Sequence, residues 1–219
     1  MEFGILESLT LKGTLVVAID ARGIGETIPP HDPQIRGGGV FTHLFDVETA
    51  MSYMAWSMDQ SLFGMRVQDV IRGVDYVLSR PDVDKVSLRI VGRGMGALWV
   101  LFAAALDRRI HSVICDGGLI SYQALASVDR YTQGADLFIR DVLLHFDLPH
   151  VAASIAGRNL VLLSPVDAMG TSVGLPMARE VYRWADEIYA AFQSSNHFRI
   201  VERRPHTHAA EEYLSLLQA

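Results

Sequence analysis

Hydrophobic and polar positions along the chain fall into two alternating patterns. Short, nearly unbroken apolar runs occur at residues 14–20, 86–91, 110–115, 159–164 and 198–201. Runs of this length, apolar on both faces, predict interior strands of a parallel sheet. Between them the apolar residues recur at helical spacing. Residues 62–78 place Met65, Val70, Val74 and Val77 on one face and Arg66, Asp69 and Arg72 on the other, which predicts an amphipathic helix. Residues 97–106, 176–192 and 209–217 also read as helices, and residues 3–11 as the end of one that stops near Gly13. Strands alternating with helices imply an α/β fold, with a mostly parallel sheet of about five strands sandwiched by helices through right-handed crossovers.

Two stretches interrupt the alternation. Residues 27–60 form an excursion that begins with loop chemistry (Pro29, Pro30, Pro33 and Gly37 to Gly39). It ends in a helix over 46–58, with Met51, Met54, Ala55 and Met58 on one face packing it onto the core; these methionines and Trp56 are also candidates for a pocket mouth or an oligomer contact. Residues 119–157 predict short helices, including 135–144 and 151–156, forming a cap or side wall. Both stretches read as insertions into one domain spanning 1–219, a length that buries a single good core.

Composition narrows the function classes. The formal charge is −6 and the basic pairs Arg108-Arg109 and Arg203-Arg204 stand apart, so a nucleic-acid surface is not expected. The single cysteine, Cys115, excludes an internal disulfide and a Cys-rich metal site. No apolar run approaches the roughly 20 residues that span a bilayer. The opening residues lack a basic n-region and a signal-like apolar segment, which makes the cytoplasm the default location. The histidines at 31, 43 and 111 show no ligand spacing, and His206 with His208 lacks a third ligand nearby, so neither metal nor cofactor is expected.

The chemistry concentrates after the second of the described runs, at Gly92-Arg93-Gly94-Met95-Gly96. These glycines permit a tight turn from strand to helix at the carboxyl edge of the sheet, where ligands bind in open α/β folds. Taken with residues 14–25 (the strand and Asp20-Ala21-Arg22-Gly23-Ile24-Gly25) and the long helix that ends in Ser79-Arg80-Pro81-Asp82-Val83-Asp84, the turn resembles the α/β-hydrolase superfamily, in its acetyl xylan esterase and dienelactone hydrolase branch. Order and spacing carry the resemblance over most of the chain. It implies a carboxylic ester hydrolase acting on a small-molecule ester, with the turn as nucleophile elbow and the Met95 N–H as oxyanion donor. It also implies Asp167, after the strand at 159–164, as the acid, and His206, after the last strand, as the base, with His208 the alternative base.

Two departures from that pattern matter. Gly94 occupies the nucleophile position and has no side chain, so no acyl-enzyme can form there. The three N-terminal strands usual in the family are lacking. One of them normally lies between the strand at 14–20 and the strand at 86–91 and carries half of the oxyanion hole. The two strands are therefore expected to pair directly, or a homo-oligomer or companion segment completes the sheet, because unpaired buried backbone is costly. Three other readings stay open. Gly92-x-Gly94-x-x-Ala97 followed by Asp116 fits a dinucleotide fingerprint. Asp116 is also a second candidate for the acid, and Cys115 a displaced nucleophile or a buried small hydrophobe. A non-catalytic binding or assembly domain is the third class.

Overall fold

The computed structural model describes residues 3–11, 13–28, 47–85, 88–204 and 206–218. Among them one parallel sheet is formed by β1 (Arg89–Arg93), β2 (Ser112–Asp116), β3 (Asn159–Leu163) and β4 (Phe198–Val201), neighbours in space as in sequence. The helices are α1 (Phe3–Thr10), α2 (Val47–Ser57), α3 (Leu62–Ser79), α4 (Met95–Leu106), α5 (Tyr122–Ala126), α6 (Leu148–Ala153), α7 (Leu175–Val181), α8 (Arg183–Ala191) and α9 (Ala209–Gln218). Because side chains alternate along a strand, the sheet has two separate cores. Val113, Cys115, Leu160 and Leu162 face the larger one, shared with α3, α4, α6 and α8. Ile114, Val161 and Leu163 face the smaller one, closed by Ala209 and Tyr213 of α9. Helix α4 is apolar all round, and it is buried from Ala97 to Leu101 and again at Ala103 and Ala104, as expected for a helix enclosed by neighbours.

The parallel α/β architecture agrees with the sequence pattern, and several details do not. Residues 14–20 form no strand, so four strands stand among the described residues where about five were expected. Their apolar side chains are not buried: Leu15, Val17 and Ile19 are 47%, 38% and 46% exposed. The expected direct pairing of this segment with β1 does not occur among the described residues. In α2 the buried positions are Ser52 and Ala55, while Met54 and Met58 face solvent; its N-terminal flank and most of the excursion lie outside the described residues. Residues 135–144 are not one helix but two 3-10 turns, Ala135–Leu137 and Val142–Leu144. The helix expected over 176–192 divides at buried Tyr182 into α7 and α8.

Arg66, expected on the solvent face of α3, is fully buried. It forms ion pairs with Glu48 and, at 2.7 Å, with Asp136, donates through Nε to the Arg22 carbonyl at 3.1 Å, and lies 5.0 Å from the Trp99 ring centre. A helical period cannot reveal this, because both carboxylates come from distant segments. The cluster holds two carboxylates and one guanidinium, with Asp136 Oδ1 and Arg66 Nη2 left without hydrogen bonds. Burial, then the Glu48 charge, push the Asp136 carboxyl up to about 6 against the pull of Arg66.

That shift has a defined stability consequence. The unfolded chain holds an aspartate near 3.9, so the folded state keeps its proton to higher pH. The resulting stabilisation is complete below about pH 4 and is lost as the pH rises through about 6. Urea titrations of the parent and of Asp136→Asn at pH 4 and pH 7 are expected to differ in their pH dependence by about 2–3 kcal/mol, the parent losing more. Parallel pH profiles for the two proteins would refute a buried titration at Asp136.

Candidate active site

The strand-to-helix turn at Gly94 has unusual geometry. Gly94 is the N-cap of α4 with φ 58° and ψ −121°, a conformation open to glycine and strained for any other residue. A Cβ built there would meet no atom within 4 Å, so the position faces open space. Next to it the backbones are jammed: a Cβ on Gly92 would stand 2.1 Å from the Gly96 carbonyl oxygen. The turn therefore lifts residue 94 clear of the sheet while β1 and α4 touch directly beneath it. The Met95 N–H belongs to the first turn of α4, whose amides have no partner four residues earlier within the helix.

The neighbouring strand ends are laced to this turn. The Gly94 N–H donates to the Asp116 carbonyl at 2.8 Å, Gly117 N–H to the Leu163 carbonyl at 2.8 Å, and Ser164 N–H to the Val201 carbonyl at 2.8 Å. Ser164, at φ 44°, accepts the Arg203 N–H on its hydroxyl at 2.8 Å. Asp116 is 2% exposed, and its Oδ2 accepts from the Arg203 guanidinium and the Tyr213 hydroxyl. The Arg93 Nε lies 3.7 Å from the same oxygen. The Asp116 hydrogen bond holds the Arg203 guanidinium above its ordinary value; burial, then that carboxylate, raise the Tyr213 phenol.

The positions singled out from sequence lie on the expected loops. Asp167 follows β3, half-buried; its Oδ1 accepts the Met169 and Thr171 N–H groups, each at 2.9 Å, and so closes its own loop. His206 follows β4, exposed and at φ 61°. No hydrogen bond or ion pair joins it to Asp167 among the described residues, and His208 is likewise exposed. Asp116 ends β2 and is buried, with its Oδ2 shared by Arg203 and Tyr213. Cys115 is buried, and burial, with Asp116 next, pushes its thiol up, the opposite of what a nucleophile needs. Sequence reasoning passed over Arg203 as part of an isolated basic pair. Its place two residues beyond β4, opposite an aspartate that ends β2, is the signal that could have found it.

No family model matches the chain. A protein of Bacillus subtilis (strain 168) with the provisional name hydrolase YtaP is 25% identical over 199 residues, covering 89% of this chain and 60% of YtaP. Among solved structures, a Bacteroides fragilis NCTC 9343 protein provisionally described as an acetyl xylan esterase aligns with a TM-score of 0.69 at 16% identity, over 92% of this chain and 50% of that one. A carbohydrate esterase family 15 glucuronoyl esterase from Caldicellulosiruptor kristjansonii aligns with a TM-score of 0.55 at 16% identity, over 73% of this chain and 49% of that one. The fold is thus the α/β-hydrolase fold that the sequence resembles, and the chain spans about half to three fifths of the length of these proteins. Among the described residues, no helix is long and apolar enough to cross a membrane.

Proposed function

We propose that this chain carries the elbow and the acid and base loops of a carboxylic ester hydrolase related to acetyl xylan esterases, with the nucleophile removed by glycine at position 94. The observation that carries the reading is the Gly94 backbone, held at φ 58° and ψ −121° with open space where a side chain would project. Glycine adopts this backbone freely, whereas a side chain placed there would be strained, and strained positions of that kind cluster at functional turns. In this reading His206 is the base and Met95 N–H the oxyanion donor. Asp167, with Oδ1 spent on its own loop, offers Oδ2 to the histidine. A small ester is the substrate class. The non-catalytic binding or assembly domain is the alternative, and the absence of a side chain at 94 supports it.

The test is p-nitrophenyl acetate hydrolysis by the parent and by Gly94→Ser. The hydroxyl adds to the ester carbonyl, His206 takes its proton, and p-nitrophenolate leaves with the bonding electrons, so that one acetyl group stays on residue 94. The expected result is an inert parent and a variant with a stoichiometric burst of p-nitrophenolate, its rate raised on the order of a hundredfold or more. Mass spectrometry places the acetyl group. A folded Gly94→Ser protein that never acylates defeats the proposal and leaves the binding or assembly reading.

A further inference from the structure

We propose that α2 is a pH-governed flap: Glu48 clamps it onto the buried Arg66, and ionisation of Asp136, the second carboxylate on that guanidinium, loosens the clamp. The apolar hold of α2 on the body is thin. Its fully buried residues are Ser52 and Ala55, while Met54 and Met58 face solvent. Met51 reaches over Gly23: its Sδ lies 2.7 Å from where a Cβ on Gly23 would stand, and Arg66 Nη2 lies 3.4 Å from the same point. Glu48, in the first turn of α2, adds the ion pair to Arg66. The helix rests on α3 and on the 3-10 turn Ala135–Leu137 that carries Asp136. That turn also backs the elbow, since a Cβ on Gly134 would stand 2.7 Å from Asp136 Oδ1 and 3.6 Å from Met95 Sδ. Opening of α2 therefore uncovers Arg66 and frees the turn behind Met95.

Charge balance sets when the clamp holds. With Asp136 protonated, Glu48 and Arg66 form a one-to-one pair. With Asp136 ionised, two carboxylates share one guanidinium, and a net negative charge sits where water is excluded, which is costly. The side chains of Arg66 and Asp136 are both 0% exposed, whereas that of Glu48 is 25% exposed. Glu48 is thus the carboxylate with a route to water, and taking it carries α2 away and leaves Arg66 with Asp136. The other polar groups around the cluster do not offset the charge. Asp69 of α3 is held by Arg22 at 2.8 Å, Tyr122 of α5 gives its hydroxyl to the Leu137 carbonyl at 3.0 Å, and Trp99 of α4 has an indole N–H without a hydrogen bond. Burial, then the Glu48 charge, push the Asp136 carboxyl up to about 6. The docked state holds this proton more tightly than the open one, so docking is favoured in acid and weakens as the pH rises through about 6.

Amide hydrogen exchange of the full chain tests the flap, with rates converted to protection factors so that the intrinsic pH dependence of exchange drops out. Helix α2 has 11 residues, too few to persist in water once undocked, so its amides report opening. Between about pH 4.5 and about pH 7.5 their protection is expected to fall by about tenfold or more, while that of α4 and β2 holds. Asp136→Asn and Glu48→Gln each leave the guanidinium with one carboxylate, and each is expected to make the protection of α2 independent of pH. Glu48→Gln alters the partly exposed partner, so it keeps the test open if Asp136→Asn does not fold. The proposal is overturned if α2 is equally protected at both pH values. It is also overturned if α2, α4 and β2 lose protection together, which would be global unfolding. A pH dependence that survives in either folded variant defeats it too, because another group would then be titrating.

Discussion

Gly92→Ala is expected to cost about 3 kcal/mol or more of stability, a large share of the roughly 5–15 kcal/mol a domain has. The added Cβ would stand 2.1 Å from the Gly96 carbonyl oxygen, 2.4 Å from the Gly96 carbonyl carbon and 2.8 Å from the Ala97 nitrogen. All three are backbone atoms, so no rotamer change relieves the clash, and α4 must move off β1. Helix α4 is buried on nearly every side against both α3 and the sheet; its displacement would open the larger core. Gly94→Ala is the matched control. It meets no atom within 4 Å and carries only the strain of a positive φ, about 1–3 kcal/mol. Urea denaturation of both variants should rank Gly92→Ala below Gly94→Ala. The reverse order would mean that strand and helix are not in contact at Gly92, and that the elbow is shaped by residue 94 alone.

The sequence made this turn legible because glycine content and flanking periodicity are local signals. Leu88 to Val91 and residues 97–106 frame it by composition alone. The parallel direction of β1 to β4 followed from the same alternation, and their order in the sheet did not. What stayed hidden depends on partners far along the chain. Arg66 reads as a surface residue on α3 by its helical position, and only Glu48 and Asp136, 18 and 70 residues away, bring it inside. Residues 14–20 read as a buried strand because hydrophobicity reports what a segment needs and not whether a neighbour is there to meet the need. Met54 and Met58 share a helical face with Ala55, yet the residues of α2 that are fully buried are Ser52 and Ala55. For the candidate site, the order of Gly94, Asp167 and His206 along the chain was readable. The link between the loops that bear them was not, since it runs through Asp116, Arg203, Ser164 and Tyr213, residues that no local pattern joins.

That link is the source of the second large effect. Asp116→Ala is expected to destabilise the chain by about 3–5 kcal/mol, the range for breaking a buried ion pair. Its carboxylate is the shared acceptor for Arg203 and Tyr213, and it is almost wholly removed from water. Removing it strands the partly buried Arg203 guanidinium and the Tyr213 hydroxyl together. Tyr213→Phe, which takes away one neutral donor and leaves the ion pair, should lose only about 1 kcal/mol. A double-mutant cycle between Asp116→Ala and Arg203→Ala should show a coupling of about 1.5 kcal/mol or more, because each single change leaves a charge without its partner. The pair also ties the end of β2 to the loop that carries His206, three residues beyond Arg203. Limited proteolysis of Asp116→Ala under native conditions is therefore expected to cut within 202–208 faster than in the parent, even where most molecules stay folded. A loss below about 1 kcal/mol, with unchanged cleavage in that loop, would show that Arg203 finds water as readily as it finds Asp116. The loops after β2 and β4 would then be held by their backbone bonds alone, and His206 would be positioned by its own loop rather than through the sheet edge.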